Sequence, residues 1–157
     1  MTGRHLSALV IVALFAAAAC PAAAQEAGIA GPLEQITELE ARVAESPEDI
    51  DALMNLGNLY YEANLLDQAV ATYQRVVDLD PEHVGALLNL GTAYSNSNRR
   101  KSAAIELKKA IELDPDNAMA YTNLGSTYYA ELQYGEAVEA YKAALSIDPD
   151  NEEAHFN

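Results

Sequence analysis

The sequence predicts an all-α solenoid built from paired helices, and three observations carry that reading. Pro47, Pro81, Pro115 and Pro149 recur every 34 residues, and Gly57, Gly91 and Gly125 keep the same interval. Between these markers the apolar residues fall at helical spacing. A fixed period of roughly 20 to 50 residues signals a solenoid or array, in which each unit buries its apolar face against its neighbours.

Residues 1–24 read as an address rather than as part of that fold. Arg4 and His5 give a small polar or basic start, Leu6 to Ala19 is apolar except for Ser7, and Ala22-Ala23-Ala24 before Gln25 offers a small-residue cleavage site. This apolar run of 14 residues is shorter than the ~20 an α-helix needs to cross a bilayer. No later segment is uniformly apolar, so no membrane span is expected. The expected destination is export to the periplasm. Ala17-Ala18-Ala19-Cys20 also resembles a weak lipoprotein box; Ala17 stands where such boxes usually carry Leu, which favours cleavage after Ala24 over lipidation of Cys20. Cys20 is the one cysteine of the chain, so an intrachain disulfide or a thiolate metal cluster is excluded.

Residues 25–157 hold eight basic and 24 acidic side chains, a formal charge of −16. Nucleic-acid affinity depends on Lys and Arg displacing counterions, and anionic lipid surfaces attract the same residues, so neither is an expected partner. A neutral or basic partner is. The composition is 50% hydrophobic with periodic apolar positions, which separates the chain from acidic disordered sequences.

The elements follow in order. Residues 25–32 form a short tether. Residues 33–46 carry Leu33, Ile36, Leu39 and Val43 in a helical stripe with Glu34, Gln35, Glu38, Arg42 and Glu45 outside it. This is an N-terminal capping helix, the polar-faced end a solenoid requires. Three repeat units follow at 50–83, 84–117 and 118–151, and 152–157 begins a fourth. In the first unit Leu53, Leu56, Leu59 and Tyr60 make one helical stripe and Ala69, Val70, Tyr73, Val76 and Val77 a second, so each unit is two helices. Six residues are too few to nucleate an isolated helix. The apolar face of 135–148 is therefore expected to lack a full cap, as in a fragment of a longer protein or a surface for self-association.

The columns that repeat are specific. Asn55-Leu56-Gly57 recurs as Asn89-Leu90-Gly91 and Asn123-Leu124-Gly125, followed by Tyr60, Tyr94 and Tyr128, by Ala69, Ala103 and Ala137, by Tyr73, Leu107 and Tyr141, and by a closing Asp-Pro. On these residues the chain resembles the tetratricopeptide repeat family over 102 of its 157 residues. It departs mildly, with Leu53 and Leu87 in the first aromatic column and Leu107 in the later one. The resemblance implies a right-handed superhelix of helix-turn-helix units, a non-enzymatic protein-binding role, and a concave face lined by the first helix of each unit.

Local chemistry supports the register. Glycine inside a helix is unfavourable by roughly 1 kcal/mol relative to alanine, so three recurrences at one place imply a close helix crossing, at which a Gly91→Leu change should separate the pair. The prolines end each second helix. His83, Asn117 and Asn151 stand at the next helix start, where Asn is a good N-cap. Asn64 and Asn98 suit a left-handed turn between the paired helices. Leu132 takes their place in the third unit, so that turn is expected to be distorted or to use Gly135.

No catalytic constellation is found. His83 and His155 lack metalloprotease spacing, and neither a Gly-x-Ser-x-Gly elbow nor a phosphate-cradling glycine loop occurs; no cofactor or metal is expected. The candidate site is the concave groove: Asn55, Asn58, Tyr61 and Glu62 from the first unit, Asn89, Thr92, Ser95 and Asn96 from the second, Asn123, Ser126 and Tyr129 from the third. Asn offers donor and acceptor together, so Asn55, Asn89 and Asn123 either grip an extended peptide or satisfy neighbouring groups, while Tyr61 and Tyr129 would cover apolar side chains. Every basic residue of the repeats (Arg75, Arg99, Arg100, Lys101, Lys108, Lys109, Lys142) lies in a second helix or a turn, which argues against capture of acidic C-terminal peptides. The acid pairs Asp80/Glu82, Asp114/Asp116 and Asp148/Asp150 form a ridge that solvates the turns or attracts a basic partner or calcium. The expected function is an exported protein-interaction scaffold. The alternatives are the recruitment arm of a longer exported protein or enzyme, or an envelope assembly factor lipid-anchored through Cys20.

Overall fold

The computed structural model describes residues 31–156; the readings of residues 1–24, of Cys20 and of most of the 25–32 tether fall outside that range. Among the described residues there is no strand. The helices run α1 (Pro32–Glu45), α2 (Ile50–Glu62), α3 (Leu66–Leu79), α4 (Val84–Asn96), α5 (Arg100–Leu113), α6 (Ala118–Ala130), α7 (Tyr134–Ile147) and α8 (Glu152–Phe156). Each packs on the next in sequence, and the first helices of successive units also meet, α4 with α6 and α6 with α8. This is an α-solenoid of antiparallel helix pairs, with Pro32 at the first position of α1, where its missing N–H is not needed.

The glycine column marks the crossing within each pair. A methyl group placed on Gly57 would lie 2.5 Å from the Tyr73 ring, one on Gly125 2.6 Å from the Tyr141 ring, and one on Gly91 2.6 Å from Leu107 Cγ and 3.3 Å from the Ala103 carbonyl. The glycine therefore admits the large residue of the second helix, and the small Ala69, Ala103 and Ala137, all buried, let the backbones approach. Around this crossing a continuous core runs from Ile36 and Val43 of α1 through Leu53, Leu56, Tyr73, Val76, Leu87 and Leu90 to Ala120. A smaller cluster of Ala137, Tyr141, Ala144 and Ala154 closes the other end.

Helix starts and stops obey local rules. Asp49, His83 and Asn117 occupy equivalent N-cap positions and accept the N–H of Ala52, Ala86 and Ala120 through Oδ1, Nδ1 and Oδ1 respectively. Asn151 does the same for Ala154 of the five-residue α8. That short helix forms because it folds against α7, with Ala154 only 5% exposed, so packing replaces the nucleation an isolated segment lacks.

One expectation fails. The α6–α7 turn is neither distorted nor carried by Gly135, which lies in the first turn of α7. Leu132 itself adopts φ 63°, beside 58° for Asn64 and 64° for Asn98. The Gln133 N–H bonds the Tyr128 carbonyl at 2.9 Å, as Leu65 bonds Tyr60 and Arg99 bonds Tyr94, each at 2.8 Å. The stack imposes this helix-ending geometry at the expense of the left-handed conformation, about 1–2 kcal/mol for a residue such as leucine.

Candidate functional site

In α2, burial of Ala52, Leu53, Leu56 and Gly57 turns Asn55, Asn58 and Glu62 to another face, because residues three and four apart share one side of a helix. The equivalent faces of α4 and α6 continue this surface. Three clefts lie along it. The first, of about 530 Å³, is lined by Gln35, Glu38, Leu39 and Arg42 of α1 and Asn55, Asn58, Leu59 and Glu62 of α2. The second, of about 120 Å³, is lined by Asn58, Tyr61, Glu62, Tyr73, Asn89 and Thr92. The third, of about 270 Å³, is lined by Tyr61, Thr92, Ser95, Asn96, Asn123, Ser126 and Glu153. Shared residues join them into one groove.

Side-chain hydrogen bonds tie that groove from unit to unit. Asn89 Nδ2 donates to Asn58 Oδ1 at 3.1 Å, and the Tyr73 hydroxyl donates to the same oxygen at 2.7 Å. One period later Asn123 Nδ2 donates to Thr92 Oγ1 at 2.9 Å. Asn96 bonds the Tyr61 hydroxyl, Thr127 bonds Ser95, and Ser126 accepts from the Tyr141 hydroxyl and donates to Glu153. Burial pushes the Tyr73 hydroxyl up to about 12, so it stays protonated and a donor at neutral pH. Asn89 and Asn123 thus join neighbouring units, whereas Asn55 is exposed at the wide first cleft.

Ten of the eleven groove residues read from the sequence line these clefts. Tyr129 does not. Its ring, 51% exposed, meets Tyr134 edge-on at 5.4 Å between centroids, because the α6–α7 turn brings the start of α7 beside it. Arg42, on the polar side of the capping helix, faces the first cleft, but its guanidinium is held by Asp49, Nη2 at 2.7 Å and Nε at 2.9 Å. The Ala52 N–H and then Arg42 hold the Asp49 carboxyl below its ordinary range.

Five of the seven basic residues of the repeats are engaged elsewhere. Arg75 donates to the Pro47 carbonyl, Arg99 to Asp67 while lying over the Tyr94 ring, Lys108 sits over Tyr128, and Lys109 and Lys142 pair with Glu106 and Glu139. None lines the three clefts. On the ridge, Asp80 and Asp148 accept the N–H of Glu82 and Asp150, and Asp114 accepts from Asn117. Among the described residues no group of three or more His, Cys, Asp or Glu gathers as a metal cluster. His83 is a helix cap; His155 is exposed, with Nε2 2.7 Å from the Pro149 carbonyl. No described helix is long and apolar enough to cross a membrane.

Comparison with known proteins gives consistent results. Residues 118–151 match the tetratricopeptide repeat family, and residues 57–98 and 100–131 match the TPR repeat. No curated protein matches the sequence. Among solved structures, MamA is 28% identical with a TM-score of 0.74, covering 76% of this chain and 70% of its own. YrrB, described as a TPR protein with an unusual peptide-binding site, is 25% identical with a TM-score of 0.76; the match covers 80% of this chain and 64% of YrrB. The first TPR of Spaghetti (RPAP3), bound to the HSP90 peptide SRMEEVD, is 26% identical with a TM-score of 0.66, covering 68% of this chain and 85% of that one.

Proposed function

The chain belongs to the tetratricopeptide repeat family, and we propose that it is an exported, non-enzymatic scaffold that holds an extended segment of a neutral or basic protein in the groove of α2, α4 and α6. The observation that carries this reading is the line of three joined clefts, walled by amides, hydroxyls and tyrosines and free of any Lys or Arg from the repeats. Such walls offer both donors and acceptors to a peptide backbone, and Tyr61 adds apolar surface with a polar tip. Glu38, Glu62 and Glu153 at the groove oppose an acidic ligand.

The contrast with SRMEEVD, the peptide held by the RPAP3 domain, supplies the test. Neutral and Lys-containing nonapeptides should shift the NMR signals of Asn58, Tyr61, Thr92 and Ser126, while SRMEEVD should not bind. Micromolar affinity for SRMEEVD would overturn the charge preference; shifts confined to α3, α5 and α7 would overturn the groove. Export rests on residues 1–24 and is tested by the intact mass of the mature protein. A start at Gln25 is expected, and a lipidated Cys20 would replace it with the anchored alternative.

A further inference from the structure

We propose that the cleft between the capping helix and the first repeat is a specificity pocket for a single Arg or Lys side chain of the groove-bound peptide. This rests on the groove reading above and names what one part of the groove selects. The pocket is formed by two matching stripes, Gln35, Glu38, Leu39 and Arg42 on α1 and Asn55, Asn58, Leu59 and Glu62 on α2. The α1–α2 pair is an antiparallel hairpin, so Gln35 and Glu62 lie toward its open end, Glu38 near its middle and Arg42 toward the 46–49 turn. At that closed end the Arg42 charge is answered by Asp49. Along the rest of the cleft Glu38 and Glu62 are exposed and in no ion pair among the described residues. Half-buried Leu39 and Leu59, packed on the core, give the cleft an apolar floor.

That combination fits a long side chain with an apolar stem and a cationic head, and the volume of about 530 Å³ leaves room for it. Glu62 is also set against its local preference. It is the last residue of α2, where the helix dipole disfavours an acid and favours a cation, and the same place in the next two units holds Asn96 and Ala130. The acid thus appears in the one unit that adjoins α1. Because Glu62 and Asn58 also line the second cleft, a cation seated here is continuous with a backbone lying along the groove.

The test uses the full chain and a library of neutral nonapeptides in which each position in turn is fixed as Arg, Lys, Gln or Glu. At one position Arg or Lys should be retained at least about fivefold over Gln, the upper range of an exposed ion pair. The Glu38→Gln/Glu62→Gln pair should bring that ratio near one and leave preferences at other positions unchanged. Glu45→Gln/Glu48→Gln, which removes the same net charge from exposed sites outside the cleft, should leave the ratio intact. Peptides retained without a cation preference overturn the pocket alone, as does a preference that survives the first pair or falls equally with the second. No retained peptide overturns the groove itself and the pocket with it.

Discussion

The first and third repeats share one backbone plan and differ in how their surfaces are closed. In the first, α3 buries Ala69, Val70, Thr72, Tyr73, Val76 and Val77 between α2 and the following unit, and its turn uses Asn64. In the third, α7 buries only Ala137, Ala140, Tyr141 and Ala144. Val138, in the register of Val70, is 49% exposed against 6%, and Leu132, in that of Asn64, is 71% exposed. A repeat therefore owes its core to its neighbours as much as to its own sequence. The glycine crossing survives in both, so intra-unit geometry is set first and sealing is added by stacking.

Substitutions at the crossing should break this common plan most severely. Gly91→Leu adds a branched side chain where a methyl already meets Leu107 at 2.6 Å. It should cost about 3 kcal/mol or more, visible as loss of cooperative urea unfolding. Gly57→Ala and Gly125→Ala sharpen the comparison. Both press on a tyrosine ring, but Tyr73 is sealed between units while Tyr141 stands at the thinner edge. Gly57→Ala should cost about 2 kcal/mol and Gly125→Ala about half that, overpacking being partly offset by helix propensity; equal losses by chemical denaturation would deny that stacking decides the difference.

The turns offer a reciprocal swap. Leu132→Asn should stabilise the protein by about 1 kcal/mol by removing left-handed strain, and Asn64→Leu should destabilise it by a similar amount, both read from thermal unfolding. The smallest effect concerns the α1–α2 junction. Asp49 has its carboxyl lowered on folding, so its contribution is present above the ordinary carboxylate range and is lost as pH falls through the lowered folded value. Asp49→Asn keeps a capping oxygen but loses the charge, and its melting temperature should fall less steeply than the wild type's between pH 5 and about 2.

Much of this was legible in the sequence because it rests on local stereochemistry. Proline cannot continue a helix, asparagine caps one, and a glycine kept in a helix marks a close approach; His83, Asn117, Asn151 and the three crossing glycines fall where those rules put them. The Asp49 cap was equally available, one period before His83. The α6–α7 turn was not, since leucine prefers another conformation and only the tertiary stack holds Leu132 in place. The groove was legible as a face, but the partners of its amides were not. Asn89 meets Asn58, and Asn123 meets Thr92, 31 residues apart in each case, and such pairings depend on the winding between units, which no single repeat encodes. Tyr129, in the register of Tyr61, meets Tyr134 across a turn, a neighbour that the repeat pattern does not show.

The side-chain bonds that cross from one first helix to the next have a mechanical consequence. Asn58 Oδ1 accepts from Tyr73 of its own unit and from Asn89 of the next, so a guest that took the Asn89 bond would loosen a rung between coils. A strand lying along the groove would meet these rungs first, so the spacing between units would answer to what it bonds.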